Sequence, residues 1–243
     1  MKMPTSRLRK DLDRSLARVR RVLIARYGEK QANTLIRESG QEYEALIPEI
    51  PPIGDRNPFQ VFLLPTTRYL AVYRALQRQG RSVEDAGRLI LEMGEADLVA
   101  IPRLVRRLIG YLWFSPWLRE RLKRRATESQ ERRYSGGYVF TYVAGDGRTF
   151  DYGIDYRECA SHKFLGSHKA LELLPYVCAV DKVASELLGW GLSRTMTLAE
   201  GCERCDFRFK KGGKTDVPRP ESRQPAHRTG TATNAGEDDE AYP

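Results

Sequence analysis

The sequence predicts an α+β protein: a helical N-terminal half, then a ββαββ antiparallel sheet unit, then a disordered C-terminal tail. Three observations predict this. Apolar residues recur at helical spacing up to about residue 130, the period switches to strict alternation after Gly136-Gly137, and apolar residues nearly vanish from Gly212 onward. The expected divisions are an N-terminal helical extension over 1–57, a helical region over 58–135, a cysteine-containing ββαββ unit over 136–211, and the tail over 212–243.

Leu8, Leu12, Leu16, Val19 and Leu23 form one stripe on a helix over 6–28, which Gly28 stops. A second helix is expected over 30–47, broken by Pro48, Pro51, Pro52 and Gly54. A third runs from about 58 to 79, with Pro65 as a kink or a fresh start. Ser82-Val-Glu-Asp85 reads as a capped helix start with Leu89 and Ile90 facing inward. Further helices are expected over about 96–112 and 116–130, with Pro116 in a first turn. In the second half, Tyr138, Phe140 and Tyr142 share a strand face, Asp146-Gly147 signals a hairpin, and Phe150, Tyr152, Ile154 and Tyr156 line the return strand. A helix over about 168–188, with Pro175 as a break or second start, precedes strands over 192–198 and 205–210.

The 243 residues are 41% hydrophobic and 30% charged, an ordinary globular balance, and the net charge of +9 decides little by itself. Apolar runs such as Leu108–Phe114 are too short to span a bilayer, and Met1–Arg21 has no uninterrupted apolar core of a secretory leader, so the expected location is cytoplasmic. The arginine-rich helices also contain Asp13, Glu120 and Glu128 and carry no aromatic–basic single-strand motif. That pattern ranks nucleic-acid or membrane-surface binding last. A small-molecule substrate is the expected partner; the oligomeric state is not readable.

All four cysteines fall between residues 159 and 205. In a helix over 175–188, Tyr176, Val177, Val180, Val183, Ala184 and Leu187 should pack on the sheet, leaving Cys178, Asp181 and Ser185 in one sector of the other side. A cysteine prefers burial, so that side should be covered too. The sector is then either a site bearing a thiol and a carboxylate, or a small filler beside a surface charge. Cys159-Ala-Ser-His162 and Cys202-Glu-Arg-Cys205 supply a permissible zinc set, with unligated thiols as the alternative; no other cofactor is expected. A redox role fits poorly, because this C-x-x-C leads into a strand. In Cys205-Asp-Phe-Arg-Phe209, alternation puts Asp206 and Arg208 on one face, as a plain ion pair or as a bidentate grip on a carboxylate.

Four segments in order are Glu158-Cys159, Leu174-Pro-Tyr-Val-Cys178-Ala-Val-Asp181, Arg194-Thr-Met-Thr-Leu-Ala-Glu200-Gly201 and Cys205-Asp-Phe-Arg208-Phe. Together they resemble the signature of the L-2-amino-thiazoline-4-carboxylic acid hydrolase family. Tyr69–Leu76, Gly80 and Ser82–Ala86 are similar to its helical part, so the resemblance covers roughly 58–210. Where that family often carries a second glycine, this chain has Cys202. The resemblance implies hydrolytic opening of a small carboxylate-bearing cyclic amidine or thiazoline ring. It implies Cys178, Asp181 and Cys159 as catalytic candidates, with Arg208, Glu200, Arg194 and Asp206 binding substrate. The rival reading is a non-catalytic sensor domain for a small ligand or zinc.

Overall fold

A computed structural model of the chain describes residues 4–54, 57 and 59–218. The leucine stripe of α1 (Thr5–Tyr27) is fully buried, and α1 ends where Gly28, at φ 78°, donates its N–H to the Ile24 carbonyl. α2 (Glu29–Leu46) folds back on α1 and packs on α3 (Gln60–Arg78), which runs through Pro65 without stopping. Ser82 caps α4 (Val83–Val99) by accepting from the Asp85 N–H at 3.3 Å, as its sequence signals. The helix expected over 96–112 is corrected. α4 ends at Val99 and α5 (Arg103–Trp113) begins after Pro102, whose ring disfavours a helical residue before it. α6 (Pro116–Ser129) starts on the Ser115 cap and its first-turn proline.

β1 (Val139–Ala144) and β2 (Tyr152–Glu158) form the expected hairpin. The Asp146 carboxylate closes its loop by accepting from the N–H groups of Arg148 and Thr149 at 2.8 and 2.7 Å. α7 (Ala160–Ser167) was not expected; Ser161 and Thr66 of α3 join hydroxyls at 2.8 Å and dock it on the helical half. The single helix expected from about 168 is a 3-10 turn, Leu171–Leu173, followed by α8 (Leu174–Leu188) with Pro175 in its first turn. β3 is only Leu192–Ser193, and β4 is Cys205–Phe209. The strand expected to reach Leu198 stops early because the Asp206 carboxylate takes the N–H groups of Thr195 and Met196, both at 2.8 Å.

The sheet is antiparallel, in the order β1-β2-β4-β3. Its inner face carries Tyr152 stacked on Phe209 at 5.0 Å, beside the stacked pair Trp113–Trp190 at 4.2 Å. Such pairs contribute about 0.5–1.5 kcal/mol each beyond their buried area. One apolar core joins the α1 leucines, α3, α4 and this face, so α1 and α2 pack with the rest. Residues 212–218 are also packed: Asp216 exchanges backbone hydrogen bonds with Leu192 and Arg194, and Val217 is buried. The tail expectation is thereby corrected over 212–218, and its residues 219–243 lie outside the described ones.

Candidate active site

α8 lies between α4 and the sheet, and its two faces are the reverse of the sequence expectation. Tyr176 and Val180 sit against Gly87 and Gly94 of α4, where any added side chain would collide with them. The two glycines make a groove that takes the bulky ridge of α8. Cys178, Asp181 and Ser185 consequently face the sheet. Ser185 Oγ accepts from the Leu192 N–H at 2.9 Å and pairs with Thr215 Oγ1 at 2.6 Å, which fastens α8 to β3. The thiol-bearing side is covered, as expected, but it is the side that faces the sheet rather than the one turned away from it.

Just past β3, Arg194 continues the inner-face alternation and lies over the Phe207 ring at 5.2 Å. It is only 5% exposed. Its Nη1 donates to Asp181 Oδ2 at 2.6 Å, and Nη1 and Nη2 both reach the Cys178 carbonyl at 3.3 Å. Those bonds fill one side and the end of the guanidinium fork. The remaining edge, Nε with the outer side of Nη2, has no partner at Nε although that atom is fully buried. Leaving such a donor empty is costly, so an acceptor placed on this edge would be favoured.

Burial controls the titration of the groups around it. It pushes the Cys178 thiol well above its usual range, with Arg194 opposing and Asp181 and Cys159 adding to the rise. It raises Cys159 and carries Cys205 to about 12. It also raises the Asp181 carboxyl, against the pull of Arg194. Arg194 is disfavoured by the same burial, but Asp181 beside it overcomes this and keeps it cationic. Cys159 and Cys178 nonetheless keep some accessible surface, and the Asp181 side chain is 23% exposed, which describes a recess rather than a sealed core. Tyr138 and Tyr156 complete the wall; Tyr138 Oη, near Ser161, is buried without a partner at hydrogen-bonding geometry. Neither tyrosine was singled out from the sequence, where they read as strand core. The surface cleft lined by Arg125, Arg132 and Tyr134 touches this recess only through Tyr138.

Residues 111–209 match the L-2-amino-thiazoline-4-carboxylic acid hydrolase family. Comparisons with curated proteins and with solved structures give no match. The hydrolase-family segment contains every residue of the recess and supports the resemblance over that stretch; the similarity read over 58–110 falls outside it.

Among the predicted residues of the hydrolase-family segment, Cys159, Cys178, Asp181, Arg194 and Cys205 come together. Glu200 accepts from Thr197 Oγ1 at 3.0 Å and acts on Arg194 electrostatically. Arg208 does not join them. It follows the outer-face register of β4 and binds Asp155 Oδ1 at 2.6 Å. Asp206 is on that outer side too, where it holds the turn after Arg194. Cys159, His162, Cys202 and Cys205 do not converge: no group of three or more His, Cys, Asp or Glu among the described residues is placed to hold a metal ion. Cys205 Sγ instead accepts from the Leu198 N–H at 3.2 Å.

Proposed function

We propose that the recess between α8 and the sheet binds a small carboxylate-bearing cyclic amidine or thiazoline and opens its ring by hydrolysis. The observation that carries this reading is the unfilled, buried edge of Arg194 beside Asp181, within the segment that matches the hydrolase family. The Nε/Nη2 edge would take the substrate carboxylate as a fork, the role the sequence suggested for Arg208. Asp181, whose proton affinity is raised by burial, is suited to act as the base, with Oδ2 holding Arg194 and Oδ1 left to take a proton from an attacking water.

Attack by that water on the ring carbon between sulfur and nitrogen forms the C–O bond. Collapse of the adduct breaks the C–S bond, and the two water protons end on the sulfur and the ring nitrogen. The product is a free thiol bearing a carbamoyl nitrogen. Water is preferred over Cys178 as nucleophile because burial keeps that thiol protonated. Cys178 then serves through its carbonyl, which orients Arg194, and Cys159 serves as part of the wall. The test is incubation with 2-amino-thiazoline-4-carboxylate while following thiol release. Asp181→Asn should abolish release, Cys178→Ser should retain a substantial part of it, and Arg194→Lys should raise KM more than it lowers kcat. Saturable binding with no turnover by the unaltered protein would overturn hydrolysis and favour the sensor reading.

A further inference from the structure

Arginines of the helical half are habitually paired with acids: Arg9 with Glu44, Arg18 and Arg68 with Asp97, Arg26 with Glu92, and Arg78 with Glu42. α5 departs from that habit. Its sequence, RLVRRLIGYLW, holds no acid, and none of Arg103, Arg106 and Arg107 forms an ion pair among the described residues.

α5 also turns its apolar side outward. Leu104, Leu108, Tyr111 and Leu112 share one face at helical spacing, and all are exposed, Leu104 by 77%. Packing fixes this roll. Gly110 is the buried residue, set so close to α8 that a methyl group there would strike the Leu188 carbonyl, and Trp113 is held by its stack on Trp190. Rotating the leucines inward would drive side chains into the α8 backbone. Just beyond α5, Trp117 is 68% exposed with Arg121 over its ring. Lys211 stands over Tyr111 at 5.1 Å.

We propose that α5 is an interfacial helix that lies on an anionic lipid surface. Its leucines and Tyr111 enter the boundary between headgroups and acyl chains, and Arg103, Arg107 and Lys211 meet lipid phosphates, while Arg106 stays on the inner side with Gly110 and Trp113. Exposed tyrosine and tryptophan beside the stripe suit that boundary. The helix lies on the bilayer; no helix among the described residues is long and apolar enough to cross one. Charge disfavours a second copy as the occupant, since stripe-to-stripe pairing would bring the arginines of both helices together with no acid between them. Nucleic acid would engage the arginines and leave the leucines in water.

The test is co-sedimentation of the full chain with phosphatidylcholine vesicles and with vesicles that also contain phosphatidylglycerol. Binding should require the anionic lipid and weaken as salt is raised. Leu104→Asp with Leu108→Asp should reduce it by about tenfold or more, and Arg103→Gln or Arg107→Gln by roughly fivefold each. Circular dichroism checks the fold, and Leu104→Gln, at the most exposed position, repeats the test if the aspartates unfold the chain. Three outcomes overturn the proposal: no binding to either vesicle, equal binding to both, or anionic binding that the leucine variants leave intact. A dimer that Leu108→Asp dissociates, with no vesicle binding, would assign the face to a second copy.

Discussion

The two faces of the sheet carry nearly the same ion pair. On the inner face, Arg194 Nη1 meets an Asp181 oxygen at 2.6 Å; on the outer face, Arg208 Nη1 meets an Asp155 oxygen at 2.6 Å. What differs is the cover. Arg194 is 5% exposed beneath α8, beside the Cys178 and Cys205 thiols, with Nε unpartnered. Arg208 is 25% exposed, lies over the Phe150 ring, and shares Asp155 with Arg204 at 3.4 Å. An ion pair whose arginine is open to water costs little to form and little to lose, whereas a covered arginine holds its charge where water compensates it poorly. A helix laid over one face thus turns a common surface motif into a buried pair with an unfilled donor.

Removing the covered arginine should give the largest effect. Arg194→Met leaves Asp181 and the Cys178 carbonyl without their partner in the recess, a loss of about 3–5 kcal/mol by the usual scale for breaking a buried pair. Urea denaturation measures it, with thiol release from the thiazoline read on the folded fraction. A loss under about 1 kcal/mol would place Arg194 in the same class as Arg208 and dissolve the contrast.

The thiols sharpen the same contrast through pH. Burial raises Cys159, Cys178 and Cys205 above the ordinary thiol value, Cys205 from 9.0 to about 12. Three units correspond to roughly a thousandfold less thiolate at neutral pH. Because the folded values are raised, the stabilisation from keeping these groups protonated is complete below about pH 9. It is lost as pH climbs through the folded values. Alkylation by iodoacetamide, in a Cys202→Ser background, should be slow at neutral pH in the native chain and fast in the urea-unfolded one. Equal rates in the two states would show that the recess is open to solvent.

Asp206 should rank next. It receives the N–H groups of Thr195 and Met196 and the Thr195 hydroxyl, and so fixes the turn that aims Arg194 inward. Burial alone would raise this carboxyl, yet those donors lower it below the usual carboxylate range. Its contribution is therefore present at neutral pH and lost as pH falls through the depressed value. Asp206→Ala should cost about 1–3 kcal/mol at neutral pH and flatten the acid limb of the stability profile.

The α+β division, the hairpin, the Ser82 cap and the second start at Pro175 were legible because each rests on chemistry within a few residues. Alternation likewise put Asp206 and Arg208 on one face of β4, which is where they are. The sequence could not say which face α8 would cover. That depends on Gly87 and Gly94, two residues whose role is to leave room for Tyr176 and Val180 some ninety positions away. The apolar side of α8 was accordingly assigned to the sheet, and the carboxylate grip to Arg208 instead of Arg194. α7 escaped notice because Cys159-Ala-Ser-His162 reads equally well as metal-ligand spacing. In the fold its serine instead pairs with Thr66 of α3. Tyr138 and Tyr156 read as alternating strand residues, and only the fold brings both of them near Cys159 and Asp181.

Arg208→Met should produce the smallest change, and it isolates the outer face cleanly. The substitution removes a partly exposed ion pair whose acid keeps Arg204 as a second partner, so the Asp155 carboxylate is not stranded. The methionine stem retains contact with the Phe150 ring that the guanidinium covered. The expected cost is about 0–1 kcal/mol, with thiol release from the thiazoline unchanged. Measured beside Arg194→Met, this variant separates position from charge, since both remove one arginine bonded at 2.6 Å to one aspartate. A complete loss of turnover in Arg208→Met with the fold intact would mean that substrate is gripped from the outer face. The covered edge of Arg194 would then have to be explained by packing alone.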